Sequence, residues 1–292
     1  MPTTWGKDLF LHVYQNNRDE KEHIAIVFGD QWRSRSLSSH REGETDIDRI
    51  LKGAYLGKLV PGMTTSLVAE MTEQYLKEKP EVDGPPLVRI HSECCTGDTF
   101  WSTRCDCGEQ LNEAARLMVS SISGGIIVYL RQEGRDIGIV AKLKTCNLQD
   151  LGFDTLDSNL LVGKPVDGRS YGVATSILLD LGCGGGRNIR LLTNNMDKVK
   201  AVERPEQDIK VVERIPMPPI SWRTGGEAGR SSKELQQYLY AKVVRMGHDM
   251  GHEGIPEMNV GDNKGGETYG LAREILKLHM DKFCPIVLSD PQ

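Results

Sequence analysis

Three features of the sequence predict an α/β fold, with a mixed β-sheet core, flanking helices and a metal-bearing loop after a core strand. Short apolar, β-rich runs alternate with stretches of helical period through the middle of the chain. A dense cysteine cluster follows directly on one of these runs. The chain has 292 residues, 26% of them charged and 38% hydrophobic. That is the composition of a soluble globular protein with enough length to bury a sizeable core in one domain or two.

The elements follow in order. Residues 9–14 (L-F-L-H-V-Y) and 23–28 (H-I-A-I-V-F) are β-rich runs around the polar stretch N-N-R-D-E, and they read as a hairpin. On it, His12 and His23 read as strand-surface histidines. Residues 33–86 contain R-S-R-S, charged segments, a candidate amphipathic helix at 63–77 and a proline-flanked end. They read as an insertion or cover segment, with Arg33 and Arg35 on a solvated face. Residues 88–91 read as a strand that delivers the cysteine loop. A helix at 110–119, with Leu111, Ala115 and Met118 on one face, starts just after the last cysteine of the cluster. Its first N–H groups favour negative charge there.

Gly124 and Gly125 end that helix, and 126–130 (I-I-V-Y-L) reads as a buried strand. It feeds R-Q-E-G-R-D and then a helix at about 137–150. Such strand-to-helix loops are where α/β folds place ligands, so Arg131 and Arg135 are positioned to meet an anion. Val173, Ile177, Leu178 and Leu181 form a helical stripe closed by Gly182, and 189–192 is the next strand. Thr193 and Lys198 lie just beyond it, in reach of phosphate oxygens. Ahead of that helix, Gly168 is expected to turn the chain tightly, so that Asp167 and Arg169 face one site. C-G-G-G-R at 183–187 lies between a helix and a strand, the reverse of a Walker loop, and reads as a flexible connection. Residues 216–219 and 225–232 read as a loop or partly disordered segment, and 233–246 as a helix. Beyond lie a Gly/Asp/Asn-rich stretch at 249–266, without EF-hand ligand spacing, and a helix at 267–282.

Four of the seven cysteines fall within 94–107, and Cys94, Cys105 and Cys107 are spaced C-x10-C-x-C. Three thiolates leave the fourth position of a tetrahedral zinc ion open for water, as in a catalytic site. A zinc-stapled structural turn is the other reading of the same spacing, and His91 is available to close the site as a fourth ligand. Cys95 points away from Cys94 in an extended loop and reads as a bystander. A bridge between Cys105 and Cys107 is disfavoured because the two are too close in sequence. Arg89, His91, Glu93, Asp98, Arg104, Asp106 and Gln110 crowd the same stretch.

A net charge of −5 argues against a general nucleic-acid binder, so an anionic ligand must be met by locally placed Arg and Lys. No apolar run approaches the ~18 residues of a membrane span, so no membrane partner is expected. The start of the sequence lacks the apolar core of a signal peptide, and an odd cysteine count with three metal thiolates fits a reducing compartment. The expectation is cytoplasmic.

R-I-H-S-E-C-x-T-G-D followed by R-C-D-C-G-x-Q resembles the zinc motif of the GTP cyclohydrolase II family. The resemblance continues, in order, through R-Q-E-G-R-D-I-G at 131–138, N-L-Q-D-L-G at 147–152, D-G-R at 167–169 and L-L-T-N-N-M-D-K at 191–198. It ends with V-E-R-I-P at 212–216 and K-V-V-R-M-G-H at 242–248, so it covers roughly 85–250, while P-T-T-W-G and H-I-A-I-V-F-G resemble longer fungal-type members. The family hydrolyses GTP to formate, pyrophosphate and a diaminopyrimidine ribosyl phosphate at the start of riboflavin biosynthesis. The resemblance implies one zinc per chain on Cys94, Cys105 and Cys107, and Mg²⁺ with the substrate phosphates. It implies GTP contacts from Arg89, Ile90, His91, Ser92, Glu93, Gln110, Glu133, Gly134, Arg135, Thr155, Thr193 and Lys198, with Glu133 on the guanine edge. Asp167 corresponds to the family's proton acceptor and Arg169 to its nucleophile at the α-phosphate, although a guanidinium is chemically better suited to stabilising phosphate. A homodimer is implied as well. The organisation expected is a hairpin and cover segment at 1–86, a catalytic domain at 87–250, and a loop and helix of unassigned role at 251–292. One departure stands out: Cys146 occupies the place where the family carries a tyrosine implied in purine-ring hydrolysis.

Overall fold

In a computed structural model, residues 1–55, 57–66, 84–153, 155–203 and 208–251 are described. The candidate helices at 63–77 and 267–282 and the Gly/Asp/Asn-rich stretch fall largely or wholly outside these residues. Six strands form one mixed sheet: β1 (Phe10–Tyr14), β2 (His23–Phe28), β3 (Leu87–Ser92), β4 (Gly125–Leu130), β5 (Asn188–Leu192) and β6 (Lys210–Ile215). Their order is β1-β2-β4-β3-β5-β6. The expected hairpin is present, β1 and β2 pairing antiparallel, and β2 continues antiparallel onto β4. From β4 to β6 every pairing is parallel. The three inner parallel strands therefore end on one edge of the sheet, where open α/β sheets collect ligands.

Both faces are covered, and period-two alternation in the strands decides what each side chain meets. Val88 and Ile90 of β3, with Ile126, Val128 and Leu130 of β4, point to one face. There they pack on Ala174, Ile177 and Leu178 of the helix Gly172–Asp180. Leu87 and Ile127 point to the other, onto Ala114, Ala115 and Met118 of α2, the helix Cys107–Ser120 (α1 is Asp46–Lys52). Arg89 shares the parity of Leu87 and so projects toward α2 rather than into the apolar face.

After β4 come α3 (Ile139–Asp150), α4 (Thr155–Leu161) and α5, the helix Gly172–Asp180 already met; α6 (Met196–Val202) joins β5 to β6. The last described helix, α7 (Lys233–Tyr240), runs into a π-helical turn, Ala241–Arg245, so the expected single helix changes pitch midway. Among the described residues no helix is long and apolar enough to cross a membrane.

Three local expectations are corrected. His23 is fully buried, not on a strand surface: it lies beside Asp19, and its Nδ1 accepts the Arg131 backbone N–H at 3.1 Å. Gly168 does not use a left-handed conformation; its N–H is tied instead to the Arg135 carbonyl at 3.1 Å. That anchor, and not glycine freedom, sets the D-G-R turn. Residues 225–232 pack against the cysteine loop, where Arg230 donates to the Ser102 carbonyl at 2.7 Å and Ser232 to that of Thr103 at 2.9 Å.

Candidate active site

The cysteine loop leaves the end of β3 and returns at the first residue of α2. Asp98 organises its first turn: the carboxylate accepts the Cys94 backbone N–H at 3.1 Å and the Tyr129 hydroxyl at 3.0 Å, and lies 3.0 Å from His91 Nε2. His91 is therefore held on Asp98, stacked on Tyr129 at 5.4 Å, and does not join the thiols as a fourth ligand. The loop closes tightly on itself. A Cβ at Gly97 would lie 2.7 Å from Cys105 Sγ and 3.1 Å from Cys94 Sγ, and one at Gly108 would lie 2.3 Å from the Gly97 carbonyl oxygen. Only glycine fits at either place.

That closure brings Cys94, Cys105 and Cys107 together, with their sulfurs within 4.8 Å of one another and Cys94 Sγ 3.6 Å from Cys105 Sγ. Zinc–sulfur bonds of about 2.3 Å in tetrahedral geometry place sulfurs about 3.8 Å apart, so the three thiols fit that ion. The Cys94 thiol is pulled down by its neighbours Cys105 and Cys107 and by Lys142, whereas the Cys107 and Cys94 sulfurs push Cys105 up. Thiols this close cannot all ionise without a cation between them. Cys107 is the first residue of α2. Cys95 lies outside the cluster, its backbone N–H donating to Glu133 at 2.5 Å. All six described cysteines are free, and Cys146 is not one of the clustered three.

The thiols sit in the wall of a cavity of about 420 Å³ that adjoins a smaller one of about 60 Å³. Ser92, Cys107, Arg169, Tyr238, Lys242 and His248 line both. The larger also takes in Glu93, Gly134, Arg135, Arg104, Lys142 and Cys146. Its size suits a nucleoside-sized ligand. The smaller gathers Arg89, His91, Gln110, Thr193 and Lys198, and among the described residues no carboxylate lines it. Lys198 is pushed well below its ordinary value by burial and by Arg89, Arg169 and Lys242, while its ammonium donates to the Ile90 carbonyl at 2.7 Å.

Most of the residues singled out from sequence thus meet at this edge. Ile90, Glu133 and Asp167 do not line either cavity. Ile90 is in the core, and Thr155 opens α4. The Glu133 carboxylate is engaged by the N–H groups of Cys95 and Gly134 and by Lys142 at 2.7 Å. Asp167 pairs with Arg169, whose Nε donates to it at 2.8 Å. Burial works against the Arg169 charge, but the Asp167 hydrogen bond and charge, with Tyr171 and Tyr238, together outweigh it and hold the guanidinium above its usual value. Arg131 reaches out to Glu93 at 3.4 Å and lines neither cavity. Arg135, by contrast, does line the larger one. It sits in a left-handed turn with Gly134 and Asp136, at φ of 62°, 62° and 68°. Two non-glycine residues held there cost about 1–3 kcal/mol each, strain of the kind that gathers at functional sites.

Sequence reasoning missed Lys142, Tyr238, Lys242 and His248. Lys142 carried a signal: it stands one helical turn before Cys146, so both face the same cavity. The other three come from α7 and the turn beyond it; Lys242 and His248 bound the K-V-V-R-M-G-H stretch of the resemblance, but no local pattern brings that segment to the cysteine loop.

A sequence profile described as GTP cyclohydrolase II matches residues 63–216. GTP cyclohydrolase-2 of Meyerozyma guilliermondii is 52% identical over 259 residues, covering 85% of this chain and 76% of that protein. GTP cyclohydrolase-2 of Saccharomyces cerevisiae is 51% identical over 271 residues, covering 85% and 77%. Riboflavin biosynthesis protein RibBA of Mycobacterium ulcerans is 46% identical over 173 residues, 59% of this chain and 37% of that protein.

Proposed function

The chain belongs to the GTP cyclohydrolase II family, and from that membership we infer that it hydrolyses GTP at the first step of riboflavin biosynthesis. The products are formate, pyrophosphate and 2,5-diamino-6-(5-phosphoribosylamino)pyrimidin-4-one. The observation that carries this reading is the meeting of the Cys94, Cys105 and Cys107 thiols with a nucleoside-sized cavity and an adjoining cationic one.

In this reading Cys94, Cys105 and Cys107 would hold one zinc, which when bound would supply the acidity that water needs to act on an unactivated ring carbon near neutral pH. The chain's own residues do the rest. The larger cavity takes the base and ribose against Glu93, Gly134 and Arg135. Arg89, Thr193, Lys198 and Arg169 face the phosphates, which Mg²⁺ accompanies. Lys142 offsets the negative charge of the thiolates from 3.1 Å. Asp167 keeps Arg169 ionised and aimed. That arrangement favours Arg169 as a phosphate stabiliser over a nucleophile, because attack would require a guanidinium that has lost its proton. A homodimer and a cytoplasmic location fit the same assignment.

Cys146 favours a second reading, in which deformylation lags behind ring attack and a formylamino product accumulates. Incubating purified protein with GTP, Zn²⁺ and Mg²⁺ and resolving the products by mass tests both. Unchanged GTP after prolonged incubation would leave a zinc-containing nucleotide binder without turnover.

A further inference from the structure

The smaller cavity has one wall that nothing above accounts for. Lys242 and His248 come from α7 and the turn after it, and that segment is fixed at both ends. Before it, Arg230 and Ser232 are bonded to the carbonyls of the cysteine loop. After it, the Asp249 N–H donates to the Asn194 carbonyl at 2.9 Å, Asp249 pairs with Arg214, and Met250 is buried with Leu235 and Leu239. Between these anchors the π-helical turn inserts an extra residue per turn, and such turns often serve functional sites. The His248 N–H donates to the Lys242 carbonyl at 2.9 Å, which folds the chain back on itself.

The cavity these residues close is short of acceptors and holds buried polar atoms without partners. Arg89 Nε, His91 Nδ1, Ser92 Oγ and His248 Nε2 are all buried and unbonded, and all four residues line it. Leaving such groups unpaired is costly, and Arg89 Nε, Ser92 Oγ and His248 Nε2 can all donate, so a ligand with several acceptor oxygens is called for. Four cations, Arg89, Arg169, Lys198 and Lys242, line the same walls. The cavity of about 60 Å³ has room for about four waters, the bulk of one phosphate group and not of a base. Among the described residues the carboxylate partner of Lys242 is Asp106 at 2.7 Å, one contact for a group that carries three N–H bonds.

We propose that Lys242 and His248 are substrate-binding residues for the polyphosphate chain, so that the 233–250 segment completes the phosphate end of the site. The proposal rests on the GTP reading of the cavities and adds to it a binding role for a segment that had none. Lys242 supplies charge, and His248 donates from Nε2 to a phosphate oxygen.

The test is calorimetric binding of inorganic pyrophosphate and, separately, of guanosine to the full-length, zinc-loaded protein. His248→Ala and Lys242→Gln are each expected to weaken pyrophosphate about tenfold or more, the loss of a hydrogen bond to a charged group, while guanosine stays within about twofold. In turnover, the KM for GTP should rise more than kcat falls. Because Lys242→Gln leaves Asp106 buried without its ion pair, His248→Ala carries the decision, with His248→Asn expected to recover part of the affinity. Unchanged pyrophosphate binding in His248→Ala, or equal weakening of guanosine and pyrophosphate, overturns the proposal. A protein that binds pyrophosphate through His248 yet never hydrolyses GTP would remove the enzymatic reading and leave this one standing.

Discussion

The Lys142 ammonium lies 3.1 Å from Cys94 Sγ and 2.7 Å from Glu133 Oε1, bridging the thiol cluster to the turn that carries Gly134 and Arg135. Burial works against its charge, but the Cys94 sulfur and Glu133 more than offset this and hold Lys142 above its usual value. Three thiolates around a divalent ion would leave one net negative charge, and Lys142 stands at contact distance to neutralise it. Lys142→Met should therefore weaken zinc retention and lower activity about 10–100-fold, the usual cost of removing an outer partner of a metal ligand. Competition with a chelator measures it. Equal zinc affinity in the variant would reduce Lys142 to a packing role.

The clustered sulfurs predict about one zinc per chain, lost in Cys94→Ser and kept in Cys95→Ser. Metal analysis of the two purified variants decides the matter. Zinc retained in the first and lost in the second would reverse the ligand assignment, despite the Cys95 backbone being turned toward Glu133.

The Asp167–Arg169 pair makes a prediction with two parts. Arg169→Ala should abolish pyrophosphate release while zinc content is unchanged, and Arg169→Lys should restore some of it by charge alone. Normal pyrophosphate release from Arg169→Ala would remove its role at the phosphate. Asp167→Asn should cost about 10²–10⁴-fold if the carboxylate moves a proton. Burial raises the Asp167 carboxyl, but the Arg169 hydrogen bond and charge carry it below its ordinary 3.8. Its contribution to stability is thus present above that ordinary value and lost only as pH falls through the lower folded one.

His248 gives the opposite charge type and a wider window. Burial first, then Lys242, Arg169 and Lys198, bring it from 6.5 down to about 3. It is neutral in the folded protein and takes a proton on unfolding below 6.5, so stability should fall as pH drops from 6.5 toward 3. His248→Asn should flatten that part of the profile of Tm against pH. Parallel profiles for the variant and the unmodified protein would mean that His248 is not the group responsible.

The sheet and the thiol cluster were legible because each follows from short-range rules. The β-rich run at 88–91 marked the strand that delivers the cysteine loop, and spacing alone proposed Cys94, Cys105 and Cys107. His23 was misread because its burial depends on the Arg131 N–H brought in by β4, a contact far away in sequence. Tyr238 was silent for the same reason, and Lys242 and His248 were marked only as the ends of K-V-V-R-M-G-H, without a place in the site. Their segment is placed by Arg230, Ser232 and Asp249, whose partners lie in distant loops. The left-handed Arg135 and Asp136 were also invisible, since neither residue type announces a positive φ.

The last prediction concerns Cys146, which lines the larger cavity but stands outside the thiol cluster, so it does not fill the open metal position. Burial raises its thiol above the ordinary value, with Arg104 and Lys142 opposing, so it is neutral and a weak donor. A tyrosine there would extend a hydroxyl several ångströms further, roughly the length of its ring, to orient a water or stabilise a developing oxyanion. The Tyr238 hydroxyl, 3.8 Å from Cys107 Sγ, is the nearest phenol to the thiols shown by the structure's contacts and approaches them from the α7 side. The unmodified protein should therefore release less formate than pyrophosphate and accumulate a formylamino product. Cys146→Tyr should bring formate per pyrophosphate toward one. Tyr238→Phe in the unmodified background separates the remaining possibilities: if formate and pyrophosphate are already equal and this change alone unbalances them, Tyr238 has taken over the missing hydroxyl's work. Equal and rapid release that survives Tyr238→Phe would show that ring hydrolysis in this chain needs neither phenol.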